Sequence, residues 1–87
     1  MATYIVENLW TMEKHKAETL EIAVGLAYSM NQEIDNENTT WEQANTWICI
    51  RHSMGQCICF AEPRIVRLWN DLARLSPPHN LTTTLQR

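Results

Sequence analysis

Apolar side chains recur at steps of three and four residues between Leu20 and Ile34, and this spacing is the period of one face of an α-helix. The pattern predicts a helix over about residues 12–34, with Thr11 as the residue that caps its N-terminus. The run at 31–40 is polar, acidic and rich in asparagine. It therefore predicts a connecting loop after the helix.

A second helix is predicted near the other end of the chain, over residues 63–75. Pro63 suits the first helical turn, where the N–H that proline lacks would have no partner, and Pro77 and Pro78 stop the helix. An apolar stripe forms its predicted core face: Ile65, Leu68, Trp69, Leu72 and Leu75. Three arginines fall on the opposite side: Arg64, Arg67 and Arg74.

The stretch between these helices allows two interpretations. A capping box that starts at Thr39 or Thr40 predicts a helix over about 40–54, followed by a short extended segment at 56–60. The alternative is an α+β fold with a β-hairpin over 46–60, because short apolar runs fit a strand as well as a buried helix.

We adopt the first interpretation, which is a mainly α fold. The chain has 87 residues, and a chain of this length forms one domain. We expect a single globular three-helix domain at 1–76 and a flexible C-terminal tail at 77–87, because the tail has no apolar periodicity.

Net charge, apolar runs and cysteine content indicate which binding partners and which cellular compartment to expect. The formal net charge is -3, which weighs against a protein that mainly holds nucleic acid backbone. No apolar run approaches the length of a membrane span, and no basic leader precedes an apolar core. The odd number of cysteines, 3, argues against a closed disulfide framework. We therefore expect a cytoplasmic protein without a membrane segment.

Four potential metal ligands lie within eleven residues: Cys49, His52, Cys57 and Cys59. Zinc sites often combine close pairs of Cys and His, but a Cys-x-Cys pair directs its sulfurs apart in an extended segment. The residues between the candidates are largely apolar. We therefore expect no bound metal, and we expect the cysteines to be small buried apolar side chains. A zinc-stabilised module remains an alternative.

Catalytic signatures are missing from the sequence. Its 2 glycines exclude a glycine-rich phosphate loop, and its acidic residues fall at surface-like positions. We expect a protein that is not an enzyme and needs no cofactor.

By elimination, the sequence predicts a small protein-interaction module. Tryptophan and arginine dominate interface hot spots, and the chain holds 4 tryptophans. Trp47 and Trp69 fall on apolar stripes, whereas Trp10 and Trp41 lie at segment ends and are the better surface candidates. We expect a regulator or inhibitor, of the kind that phages or mobile elements encode, that binds a larger protein.

Two surfaces are candidates for binding this partner. The first is the acidic loop with Glu33, Asp35 and Glu37, which Trp41 borders. The second is the arginine face of the last helix, formed by Arg64, Arg67 and Arg74. We favour the acidic loop, because an aromatic side chain beside charge is a common hot-spot arrangement. The arginine face would instead suit a DNA-binding regulator.

Overall fold

The fold packs its longest helix against an antiparallel sheet, and the last helix packs against that helix. A computed structural model describes residues 3–75. Its elements in chain order are β1 (Tyr4–Asn8), β2 (Lys14–Ala17), α1 (Leu20–Ile34), α2 (Trp41–Trp47), β3 (Ile48–His52), β4 (Cys57–Ile58) and α3 (Pro63–Leu75). The predicted tail at 77–87 lies outside the described residues.

The sheet makes the predicted mainly α class wrong, because the fold is α+β. Four antiparallel strands pair in the order β2-β1-β3-β4. One row of the sheet shows the register: His15 lies opposite Val6, Val6 opposite Ile50, and Ile50 opposite Ile58.

The first predicted helix begins eight residues too early, since α1 starts at Leu20 rather than at residue 12. Residues 14–17 instead form β2, and Met12 has a φ of 67°, which is incompatible with a helix. Thr19 is the actual N-cap and accepts from the backbone N–H of Ile22 at 3.1 Å. The apolar period also begins only at Leu20, so nothing in the pattern required the extra turns.

The predicted helix at 40–54 is also too long. Thr40 caps α2 as one register of the capping box predicted, but α2 ends at Trp47. Ile48 and Ile50 are buried and pair with β1, opposite Asn8 and Val6. Because β-branched residues fit a half-buried pleated surface, pairing with β1 outweighs continuation of the helix. The β3–β4 hairpin corresponds to the alternative at 46–60, although that alternative did not include the β1–β2 hairpin.

The last helix has the predicted bounds, since α3 spans Pro63–Leu75. Ile65 and Trp69 are buried, while Leu68 and Leu72 are half-buried and pack against the core. Leu75 is 79% exposed, so the predicted apolar stripe ends one turn before the helix does.

The core lies between the sheet and α1, and α3 packs against α1. Three aromatic rings fill the region between α1, α3 and the segment after β4. The centroid of the Trp69 ring lies 4.9 Å from that of Tyr28 and 6.1 Å from that of Phe60. This packing leaves the turn between β1 and β2 outside the core.

Candidate functional site

Apolar side chains are concentrated at the end of the sheet where β1 turns towards β2. Leu9, Trp10 and Met12 are 50%, 65% and 64% exposed. Trp47, the last residue of α2, is half-buried and stacks on Trp10, with ring centroids 4.3 Å apart and planes inclined by 22°. We call Leu9, Trp10, Met12 and Trp47 the aromatic tip.

The backbone of the aromatic tip is held by Asn8, which is only 6% exposed. Asn8 Oδ1 accepts from the backbone N–H groups of Trp10 and Thr11, at 2.8 and 3.1 Å. The N–H of Met12 donates to the Asn8 carbonyl at 2.8 Å, and the N–H of Asn8 donates to the carbonyl of Glu13 at 2.8 Å. Trp10 is therefore presented on an ordered turn, so binding a partner needs little further ordering of the backbone.

A second contact joins the turn to α2. The N–H of Leu9 donates to the carbonyl of Trp47 at 2.8 Å, next to the stacked tryptophan rings. A cleft of about 350 Å³ lies here, lined by Leu9, Trp10, Thr46 and Trp47. These side chains carry no charge, and the Thr46 hydroxyl donates to the Gln43 carbonyl at 2.6 Å. The cleft thus offers apolar contact rather than acid–base or nucleophilic chemistry.

The acidic loop at 33–40, whose first two residues belong to the last turn of α1, is also ordered by the core beneath it. The side-chain amide of Asn31, which is buried, donates from Nδ2 to the carbonyl of Asn38 at 2.8 Å. The indole Nε1 of Trp69 donates to the carbonyl of Thr39 at 2.7 Å. Glu33 and Glu37 are exposed, and Asp35 is half-buried. The loop therefore presents its carboxylates on a backbone that two side chains hold in place.

The acidic loop and the aromatic tip lie at opposite ends of α2. This helix has seven residues, which corresponds to a length of about 10 Å. The segments 9–13 and 33–47 contain five acidic residues and neither Lys nor Arg. The five are Glu13, Glu33, Asp35, Glu37 and Glu42. Glu13 adjoins the aromatic tip and is followed directly by Lys14, whereas the other four acidic residues lie at or before the start of α2.

The two tryptophans expected at the surface differ. Trp10 is 65% exposed, whereas Trp41 is half-buried and packs against the core. Sequence reasoning assigned Trp47 to the core and did not single out Leu9 or Met12. The available signal was three large apolar residues within the four positions from Leu9 to Met12, followed by the charged residues of β2.

The predicted arginine face is separate from the core. Arg64, Arg67 and Arg74 are all exposed on α3. Arg74 forms an ion pair with Asp71 in the adjacent turn of the helix. Part of the positive charge of this face is therefore compensated locally.

The cysteine cluster differs from the expectation of three separate buried side chains. Cys49 and Cys57 form a disulfide, whereas Cys59 is a free and exposed thiol. His52 is exposed, and its ring centroid lies 4.9 Å from that of Tyr4. An odd number of cysteines permits one bond and one free thiol, so the count did not exclude a disulfide. Residues 3–75 contain no group of three or more His, Cys, Asp or Glu side chains arranged to hold a metal ion.

Across the described part of the chain, none of the helices combines the length and the apolar character needed to cross a membrane. Comparison of the chain with protein-family models, with curated proteins and with solved structures returned no match.

Proposed function

We propose that this chain is a non-enzymatic protein-binding module that uses the aromatic tip to bind a basic surface on a larger protein. The observation that carries the proposal is Trp10, which is 65% exposed although it stacks on Trp47. Large aromatic side chains at the centre of an interface contribute more binding energy than most other contacts. An ordered turn that exposes such a ring supports a role in recognition.

The surroundings of Trp10 support an apolar contact in the bound state. Leu9 and Met12 extend the exposed apolar surface on both sides of Trp10 along the turn. The Nε1 atom of Trp47 is buried and has no hydrogen-bond partner among the described residues. An unpaired buried N–H destabilises the free protein, but a partner cannot reach an atom without accessible surface, so the contact offered to the partner is that of the exposed apolar side chains.

Charge around the tip supports a basic partner. The five acidic residues of segments 9–13 and 33–47 would attract lysine and arginine side chains and repel phosphate groups. An interface of standard size buries roughly 800 Å² on each partner, which is enough to include both the tip and the acidic loop. The expected partner therefore combines an apolar pocket for Trp10 with a basic rim.

A regulator or inhibitor is the role that fits this mode of binding. A chain of 87 residues that covers a basic surface on a larger protein would block that surface from other acidic ligands. We propose a regulator or inhibitor of the type that phages or mobile elements encode. The alternative is DNA binding by Arg64 and Arg67, which are exposed on α3.

Reversing charge on the two candidate surfaces should separate these functions. We expect a variant with Glu33, Asp35 and Glu37 changed to Lys to bind the partner captured from the source cells at least about tenfold more weakly. The affinity of this variant should also depend less on salt concentration, because fewer opposite charges meet across the interface. Calorimetric titration of the purified pair at two salt concentrations measures both effects.

The matched control reverses the same number of charges on α3, with Arg64, Arg67 and Arg74 changed to Glu. We expect it to bind the partner within about threefold of the parent, since these side chains lie outside the proposed interface. Weak binding by this control alone would move the interface to α3 and support the DNA-binding alternative. Parent-like binding by both folded variants would remove electrostatic recognition from the proposal.

A further inference from the structure

The sheet ends at β4, a two-residue edge strand that a disulfide ties to its neighbour. β4 pairs with β3 through two residue pairs, Ile50 with Ile58 and Arg51 with Cys57. Cys49 lies two residues before Arg51 in β3, so its side chain is on the same face of the sheet as that of Cys57. The Cα atoms of the two cysteines are 6.0 Å apart, and the disulfide joins them diagonally across the two strands.

The two cysteines of the disulfide differ in exposure to solvent. Cys49 is buried, with 6% exposure, whereas Cys57 is exposed. The connecting residues 53–56 are all exposed, and Met54 reaches 95%. An external thiol can therefore reach the Cys57 side of the bond more easily than the Cys49 side, and thiol attack depends on such access.

We propose that the Cys49–Cys57 disulfide is a redox-controlled latch that holds β4 on the sheet. A thiolate of a dithiol reductant attacks Sγ of Cys57, forms a mixed disulfide with it and releases Cys49 as a thiolate, which is then protonated. The second thiol of the reductant displaces Cys57 and closes the reductant's own disulfide. The protein gains two electrons and two protons, and the dithiol loses them.

Reduction should detach β4 without unfolding the domain. After reduction, β4 keeps the hydrogen bonds of two residue pairs and the contact of half-buried Ile58 with the core, and so short a strand has little stability of its own. The aromatic packing of Phe60 and Trp69 lies after β4 in the chain and does not depend on the bond. Release of β4 would expose the backbone of β3 as a sheet edge, to which an extended segment of another chain can add.

Cys59 provides a control within the same segment. It is free and exposed, and its sulfur accepts from the backbone N–H of Ala61 at 3.4 Å. It lies outside the disulfide, so Cys59→Ser should leave the latch intact. The proposed latch does not involve the aromatic tip, and its test does not require the binding partner.

The experiment combines thiol counting with hydrogen exchange, both on the full chain. The protein equilibrated with oxidised glutathione should show one reactive thiol per chain, and three after treatment with dithiothreitol. Exchange in peptides covering 53–59 should then become at least about tenfold faster, because a disulfide contributes more than a factor of ten to local stability. Exchange in α1 should not change.

Two variants sharpen the test. The double variant Cys49→Ser, Cys57→Ser should exchange at 53–59 as fast as the reduced parent, and Cys59→Ser should match the oxidised parent. Three reactive thiols in the parent before reduction would overturn the proposal, as would equal exchange before and after reduction. Faster exchange in α1 and α3 as well would also overturn it, because the bond would then stabilise the whole fold. All three overturning results are measured on the parent chain, so the test holds even if a variant does not fold.

Discussion

Replacing Trp69 with alanine is expected to lower the free energy of unfolding by about 3–5 kcal/mol. Trp69 is 1% exposed, and its ring contacts Tyr28 of α1 and Phe60, the residue that follows the β4 segment by two positions. Alanine would leave a cavity between α1 and α3 and would remove the donor to the Thr39 carbonyl. Urea denaturation followed by far-UV circular dichroism measures the change.

Trp69→Phe separates the contribution of ring packing from that of the hydrogen bond to the Thr39 carbonyl. Phenylalanine keeps an aromatic ring in the core but cannot donate to the Thr39 carbonyl, so we expect a loss of about 1–2 kcal/mol. Leu75→Ala serves as a control on the same helix, because Leu75 is 79% exposed, and should change stability by no more than about 0.5 kcal/mol. Parent-like stability of Trp69→Ala would mean that the described packing of α3 is incorrect.

Replacing Trp10 with alanine is expected to raise the dissociation constant for the partner about 30-fold or more, which corresponds to a hot-spot contribution of about 2 kcal/mol. The ring is 65% exposed in the free protein and would be buried in the complex. Stability should fall by no more than about 1.5 kcal/mol, through loss of the stacking contact with Trp47. Calorimetric titration and urea denaturation on the same preparation give both values.

The matched control for Trp10 is Met54→Ala. Met54 is a large apolar residue with 95% exposure, and it lies in the β3–β4 turn rather than at the aromatic tip. We expect this variant to bind the partner as the parent does. Equal affinities of the Trp10 variant and the parent would exclude the aromatic tip as the interface. Equal losses in both variants would indicate nonspecific apolar binding.

Local signals in the sequence predicted the elements whose boundaries depend on nearby residues. Pro63 marks the start of α3, and Thr40 caps α2 by accepting from the N–H of Gln43. The adopted mainly α interpretation missed the strands because their stability comes from residues far away in the chain, and only the alternative with a hairpin at 46–60 included β3 and β4. Ile48 and Ile50 become strand residues through pairing with β1, about forty positions earlier. A segment of about seven residues is too short for its apolar pattern to distinguish a helix from a strand.

Of the aromatic tip, only the exposure of Trp10 was predicted from the sequence. The position of Trp10 at the end of an apolar segment indicated a surface residue, and its exposure agrees. Trp47 was missed because its place on an apolar stripe resembles that of a core residue, whereas stacking on Trp10 depends on where the β1–β2 turn lies. The disulfide could not be predicted either, since pairing of Cys49 with Cys57 follows from the register of β3 and β4.

Site-specific photocrosslinking in the source cells tests the central claim most directly. A benzophenone amino acid would replace Trp10 in one variant and Met54 in the other, and the crosslinked products would be mapped by mass spectrometry. If the aromatic tip is the interface, position 10 should give one dominant product, joined to a lysine- or arginine-rich surface of a larger protein. Position 54 should give no such product. A product from position 54 with none from position 10 would contradict it.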